Sequence, residues 1–185
     1  MNALVVNAKS ASALAVIRSL GSKGIEITGA SDTSRDFPLF SRYCTKRILL
    51  RTPSEDIETR LDELLTIVKN NNFDVFLPVM SEGSLLALAK RKNDFEKYTR
   101  LALPSFDQLS ILNNKASVSS LLSELGIHSP KTYFVDSELI MDSIQKNAVF
   151  PLIIKPFRGE GAAGIRIITD PNDLGTCYYD IKKNY

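Results

Sequence analysis

The chain has 185 residues, 44% of them hydrophobic and 24% charged, with a formal net charge of +2. That length suits one large core or two small ones, and so small a net charge excludes a strongly basic nucleic-acid or membrane surface. Cys44 and Cys177 form no CxxC and no cluster with the single histidine, His128, so neither a disulfide framework nor a zinc site is expected. The start runs directly into "NALVV" without a charged leader, and no run of about 18 apolar residues occurs, which points to a soluble cytoplasmic protein.

In chain order, strand and helix signals alternate. "ALVVN" (Ala3 to Asn7) is a short apolar run suited to a buried parallel strand, and between about Ser12 and Lys23 the residues Leu14, Ala15, Ile17 and Leu20 share a helical face that Gly24 ends. "IEITGAS" and "TKRILLR" predict a second and a third strand, separated by a loop containing Pro38. Thr52, Pro53, Ser54 and Glu55 match a capping box with proline at the first helical position, and Ile57, Leu61, Leu64, Leu65 and Val68 form the apolar stripe that follows. "FDVFLP" predicts a fourth strand, Leu85 to Ala89 a helix, and "RLALP" a fifth strand. This grammar predicts a doubly wound, Rossmann-like parallel sheet with helices on both faces, up to about Pro104.

Beyond Pro104 the pattern changes. Ser105 with Gln108 forms a second capping box, and Val118, Leu121, Leu122 and Leu125 mark a helical face ending at Gly126, with Pro130 beyond. "KTYFV", a helix around Leu139 to Ile144, "FPLIIKP" and "GIRIIT" complete a unit of α+β character. The boundary falls near residues 105 to 113, giving a first domain over 1–112 and a second over 113–185. His128 sits in the loop between Gly126 and Pro130 and reads as a surface residue.

The chemistry concentrates in "FPLIIKPFRGEGAAG" (Phe150 to Gly164). A period of two places Ile153 and Lys155 on one face of the strand and Leu152 and Ile154 on the other. An ammonium so placed needs an anionic partner or a route to water, and a lysine snorkelling at a strand end would also satisfy the pattern. Gly159, Gly161 and Gly164, with Ala162 and Ala163, let backbone amides approach a ligand closely. A phosphate-binding P-loop would continue into GK, Ser or Thr and a helix, whereas here a β-branched run, Ile165 to Ile168, follows. The loop therefore reads as the tip of a hairpin, a flap able to close over phosphates with its amides and Arg158. Lys115 stands in the first turn of a helix capped by Asn113 or Asn114, where the helix dipole disfavours a cation. Two lysines, an arginine and an amide-rich flap suit a polyphosphate.

The segments "NNKASVSSLLSELGIHSP", "YFV" and "FPLIIKPFRGEGAAGIRIITDPNDL" resemble the start of the ATP-grasp domain of biotin carboxylase and carbamoyl phosphate synthetase. "RSLGSKGIEITGASD", "SRYCTKRIL" and "FDVFLPVMSEGS" resemble the preceding domain of carboxylate-amine ligases. The resemblance implies a Rossmann-like pre-ATP-grasp domain followed by a truncated ATP-grasp domain. It implies that Lys115 and Lys155 contact ATP phosphates and that Arg158, Gly159, Glu160, Gly161, Ala162, Ala163 and Gly164 form the flap; Glu160 departs from the small residues usual there. Glu82, with Ser81 beside it, would face the acceptor-substrate cleft.

The adenine-binding segment and the acidic residues that hold Mg2+ in that family come after the flap hairpin, so no metal ligand is expected within this chain and a fragment is implied. The implied reaction activates a carboxylate as an acyl phosphate for attack by an amine, with ATP and Mg2+, in a possible homodimer. Two other readings stand beside it: a nucleotide-binding or assembly module without chemistry, and an NAD-dependent oxidoreductase suggested by Asp32 at the end of the second strand. The first turn of the latter reads "NAKSAS" in place of G-x-G-x-x-G.

Overall fold

The computed structural model describes the chain apart from residues 8, 54, 136, 158–161 and 185. It divides into two compact units, Met1–Leu109 and Ser110–Tyr185.

The first unit is built on β1 (Asn2–Val6), β2 (Glu26–Ser31), β3 (Cys44–Leu49), β4 (Val75–Pro78) and β5 (Arg100–Leu101), all parallel, in the order β3-β2-β1-β4-β5. The central strand explains why the run "ALVV" is apolar throughout. Ala3 and Val5 enter one core with Ala13, Ile17, Ile27, Leu39 and Cys44, while Leu4 and Val6 enter another with Leu61, Leu64, Val68, Phe76, Leu88 and Phe95. Helices α1 (Ala11–Gly21) and α2 (Ile57–Asn71) supply the cover on these two faces, and α3 (Glu82–Lys90) and α4 (Lys92–Phe95) extend the second core. Removing each of the Val, Leu, Ile and Phe side chains from water contributes about 1.5–3 kcal/mol. The face of α1 is set by Ala13 and Ile17; Ala15, expected on it, is exposed.

The start of α2 also differs from expectation. The cap is Asp56, whose carboxylate accepts the Thr59 N–H at 3.2 Å, and not Thr52. The Thr52 N–H is already taken by Glu63 Oε2 at 3.0 Å, and the Arg51 N–H by Glu63 Oε1 at 2.8 Å. A carboxylate four residues further on accepts from the helix and complements its dipole better than a threonine hydroxyl does. The Ser105–Gln108 box does form, with Ser105 N–H to Gln108 Oε1 at 3.0 Å and Gln108 N–H to Ser105 Oγ at 3.3 Å, at the head of α5 (Phe106–Leu112).

The second unit contains α6 (Lys115–Glu124), α7 (Glu138–Asn147), the antiparallel hairpin β6 (Leu152–Ile154) and β7 (Arg166–Ile168), and α8 (Asp173–Asn184). Its core joins Met141, Ile144, Ile168 and Leu174, with Leu152, Ile154 and Tyr178 packed alongside. Residues 131–135, the segment "KTYFV", form no strand. Tyr133 and Val135 are held by packing on this core instead of by ladder hydrogen bonds. The apolar face of α6 exists but none of it is fully buried, and Leu125 is 62% exposed.

Candidate functional site

The β6–β7 hairpin has two unlike faces. Leu152 pairs with Ile168, Ile153 with Ile167 and Ile154 with Arg166. Because side chains alternate, Leu152, Ile154 and Ile168 turn toward α7 and α8, whereas Ile153 and Ile167 lie on the other face, 65% and 71% exposed. Lys155 continues the Ile153 face and is exposed. Among the described residues it has no ion-pair partner. This is an uncovered apolar platform bearing one ammonium group.

Lys115 is brought to the same end of the hairpin by a backbone contact. Asn114 caps α6, its side-chain oxygen accepting from the Ala116 and Ser117 N–H groups at 2.9 and 3.2 Å. The Lys115 N–H, left over at the helix start, donates to the Phe157 carbonyl at 3.1 Å, two residues after Lys155. The half-buried Lys115 and the end of β6 are thus locked together within one unit.

Of the flap, Arg158, Gly159, Glu160 and Gly161 lie outside the described residues. Ala162 and Gly164 both have positive φ, 64° and 73°, and the Ile165 N–H closes a turn on the Ala162 carbonyl at 3.2 Å. Gly164 is buried as well as left-handed, so a side chain there would meet a backbone penalty. The exposed Ala162 adopts the same region at a cost of order 1 kcal/mol, which makes this turn a strained one.

In the first unit, Ser81 and Glu82 lie where β4 passes into α3, beside the point at which the sheet order reverses between β1 and β4. Crevices at that position are where open parallel sheets hold ligands. Ser81 Oγ meets Ser84 Oγ at 3.0 Å and gives α3 no side-chain cap; Glu82 is half-buried. A polar cleft of about 340 Å³ lined by Asn2, Glu26, Thr28, Lys46, Asn71 and Phe73 opens near the first residues of β1 and β2, away from this rim.

Sequence reasoning missed Arg60. It lies on the stripe of α2 between Ile57 and Leu64 and is 4% exposed. Its Nη1 meets Asp32 Oδ1 at 2.6 Å and its Nη2 donates to the Thr52 carbonyl, while Lys9 Nζ reaches Asp32 Oδ2 at 3.2 Å. The signal was available: residue 60 stands three after Ile57 and four before Leu64, so a charge there falls on the apolar face. Burial alone would raise the Asp32 carboxyl; the hydrogen bonds and charges of Arg60 and Lys9 outweigh it and hold the group below its ordinary range. The carboxylate that suggested an NAD-dependent oxidoreductase is therefore engaged by two cations.

Among the described residues, no group of three or more His, Cys, Asp or Glu side chains gathers as a metal site, and no helix is long and apolar enough to cross a membrane. The described residues do not by themselves fit a magnesium ion held by protein carboxylates.

No protein-family model matches the chain, and no curated protein sequence does. Solved structures do match it. An L-amino acid ligase from Bacillus licheniformis superposes with a TM-score of 0.68 at 18% identity, over 98% of this chain and 42% of that one. The biotin carboxylase domain of Hydrogenobacter thermophilus 2-oxoglutarate carboxylase, a dimer in complex with MgADP, ADP and bicarbonate, gives 0.68 at 16% identity, over 97% and 40%. Biotin carboxylase from Campylobacter jejuni gives 0.67 at 16%, over 98% and 41%. The chain shares its fold with part of this ligase and of these biotin carboxylases. The chain spans about two fifths of the length of these neighbours. At these identities the likeness concerns fold.

Proposed function

We propose that the chain is the N-terminal portion of an ATP-dependent ATP-grasp ligase, in which residues 1–112 form the pre-ATP-grasp domain and 113–185 the start of the ATP-grasp domain. The observation that carries the reading is the bare face of the β6–β7 hairpin, where Ile153 and Ile167 are exposed beside Lys155 and the Lys115 backbone is tied to the Phe157 carbonyl. An apolar platform with a cation at its end suits a nucleotide, whose base is flat and weakly hydrated and whose phosphates are anionic.

In this reading Lys155 and Lys115 neutralise phosphate charge, and the flap from Arg158 to Gly164 covers the β- and γ-phosphates with its amides. The protein's contribution is positioning and electrostatic stabilisation of the transferred phosphoryl group. The whole enzyme activates a carboxylate as an acyl phosphate, which an amine or related nucleophile then attacks. Ser81 and Glu82 face the acceptor-substrate cleft. Mg2+, when bound, offsets the charge of the β- and γ-phosphates, and its carboxylate ligands are proposed to belong to the part of such enzymes that this chain does not span. Cytoplasmic location and a homodimeric assembly complete the proposal; the dimeric biotin carboxylase domain supports the latter by analogy.

The test is an ATP titration of the 185-residue chain followed by amide chemical shifts. Shifts are expected to cluster at Lys115–Ser117 and Lys155–Ile165, with weak affinity that falls about tenfold or more in Lys155→Ala, the loss of one charge-assisted phosphate contact. Shifts located elsewhere, or unchanged by the substitution, overturn the reading.

A further inference from the structure

Arg60 is a charge set into an apolar stripe, between Ile57 and Leu64 of α2 and beside the core residue Leu61. A well-packed apolar residue there would support α2 as well as an arginine does, because burying a guanidinium costs most of what its partners return. What an apolar residue could not do is reach three loops. The guanidinium meets Asp32, which follows β2, and the Thr52 carbonyl, which follows β3; through Asp32 it is coupled to Lys9, which follows β1. All three loops leave the carboxyl ends of adjacent parallel strands, on the rim where this class of sheet holds ligands. Its Nε is buried without a hydrogen-bond partner among the described residues, an uncompensated polar atom retained in the core.

We propose that Arg60 is a positioning residue that fixes the rim of the first unit. It clamps the β2 and β3 loops to α2 directly and sets the Lys9 ammonium through Asp32. The rim's part in holding substrate rests on the ligase reading, but the clamp itself does not. It is therefore tested without nucleotide, so that failure of one idea leaves the other standing.

Amide hydrogen exchange on the 185-residue chain separates a clamp from a general stabiliser. In Arg60→Met the rim amides of Lys9, Arg35, Arg51 and Thr52 are expected to exchange at least about tenfold faster, while the sheet amides of Leu4, Val5 and Ile27 change less than about twofold. Arg60→Lys keeps the charge but lacks the fork that reaches two acceptors, so it is expected to protect one loop and release the other. If Arg60→Met does not fold, Asp32→Ala removes the acceptor shared by Arg60 and Lys9, and the amides of Lys9 and Arg35 are expected to exchange faster while those of Leu4, Val5 and Ile27 do not. Unchanged exchange at the rim overturns the proposal, and so does an equal acceleration of rim and sheet.

Discussion

Gly21→Ala sets helix propensity against a steric contact, and the structure gives the size of both. Gly21 is the last residue of α1, and alanine in a helix is ordinarily favoured over glycine by about 0.5–1 kcal/mol. Here a Cβ would stand 2.5 Å from Tyr43 Cβ, 3.0 Å from Tyr43 Cγ and 3.2 Å from Tyr43 Cδ1. Optimal carbon–carbon separation is about 3.5–4.0 Å, so the nearest contact is short by roughly an ångström. The atom it meets is no flexible tip: Tyr43 Cβ is fixed to the backbone beside buried Cys44, where β3 begins. Relief requires α1 and the edge of β3 to separate, and overpacking of this kind costs about 1–3 kcal/mol. Subtracting the propensity gain from the middle of that range leaves a net destabilisation of about 1–1.5 kcal/mol. Urea denaturation checks it, with Gly83→Ala as the control. Gly83 lies in α3 of the same unit with nothing within 4 Å of a built Cβ, and that change is expected to be neutral or stabilising by up to about 1 kcal/mol. A Gly21→Ala protein as stable as the parent would refute the steric argument.

Two further outcomes follow from the hydrogen bonds. Asp32 and Glu63 are raised by burial, but Arg60 and Lys9 for the first, and the Arg51 and Thr52 N–H groups for the second, bring both below their ordinary values of 3.8 and 4.5. The stability they contribute is complete above those values and is lost as pH falls through the lowered ones, so urea midpoints should drop in that acid range and Glu63→Gln should flatten the drop; an identical slope in the variant would count against it. Asn114→Ala removes the acceptor of two N–H groups and should weaken the start of α6 by about 0.5–2 kcal/mol. Carbon chemical shifts at Lys115–Ser117 would report the fraying, and full helicity there would show that the Phe157 contact alone holds the helix start.

The sequence by itself determined what local periodicity can encode. The unbroken apolar run at Ala3–Val6 could only be a strand buried on both sides, the Ser105–Gln108 box opened its helix, and the alternation at Leu152–Lys155 put Ile153 and Lys155 on one face. Those are statements about spacing along a chain of known pitch, and spacing survives folding. Only the tertiary structure decided which donors and acceptors met. Thr52 had the residues of a cap, but Glu63, eleven residues away, took its N–H and Asp56 capped α2, because the Asp56 carboxylate is a stronger acceptor and complements the helix dipole better than the Thr52 hydroxyl. Residues 131–135 had the composition of a strand and found a core to pack on, yet no neighbouring strand to complete a ladder. Arg60 and Asp32 stand 28 apart in sequence, and their pairing arises only when β2 and α2 come together at one end of the sheet. The face carrying Ile153, Ile167 and Lys155 was legible as a face, but its lack of cover was not. Periodicity says which side chains point together; whether anything packs against them depends on the path of the rest of the chain.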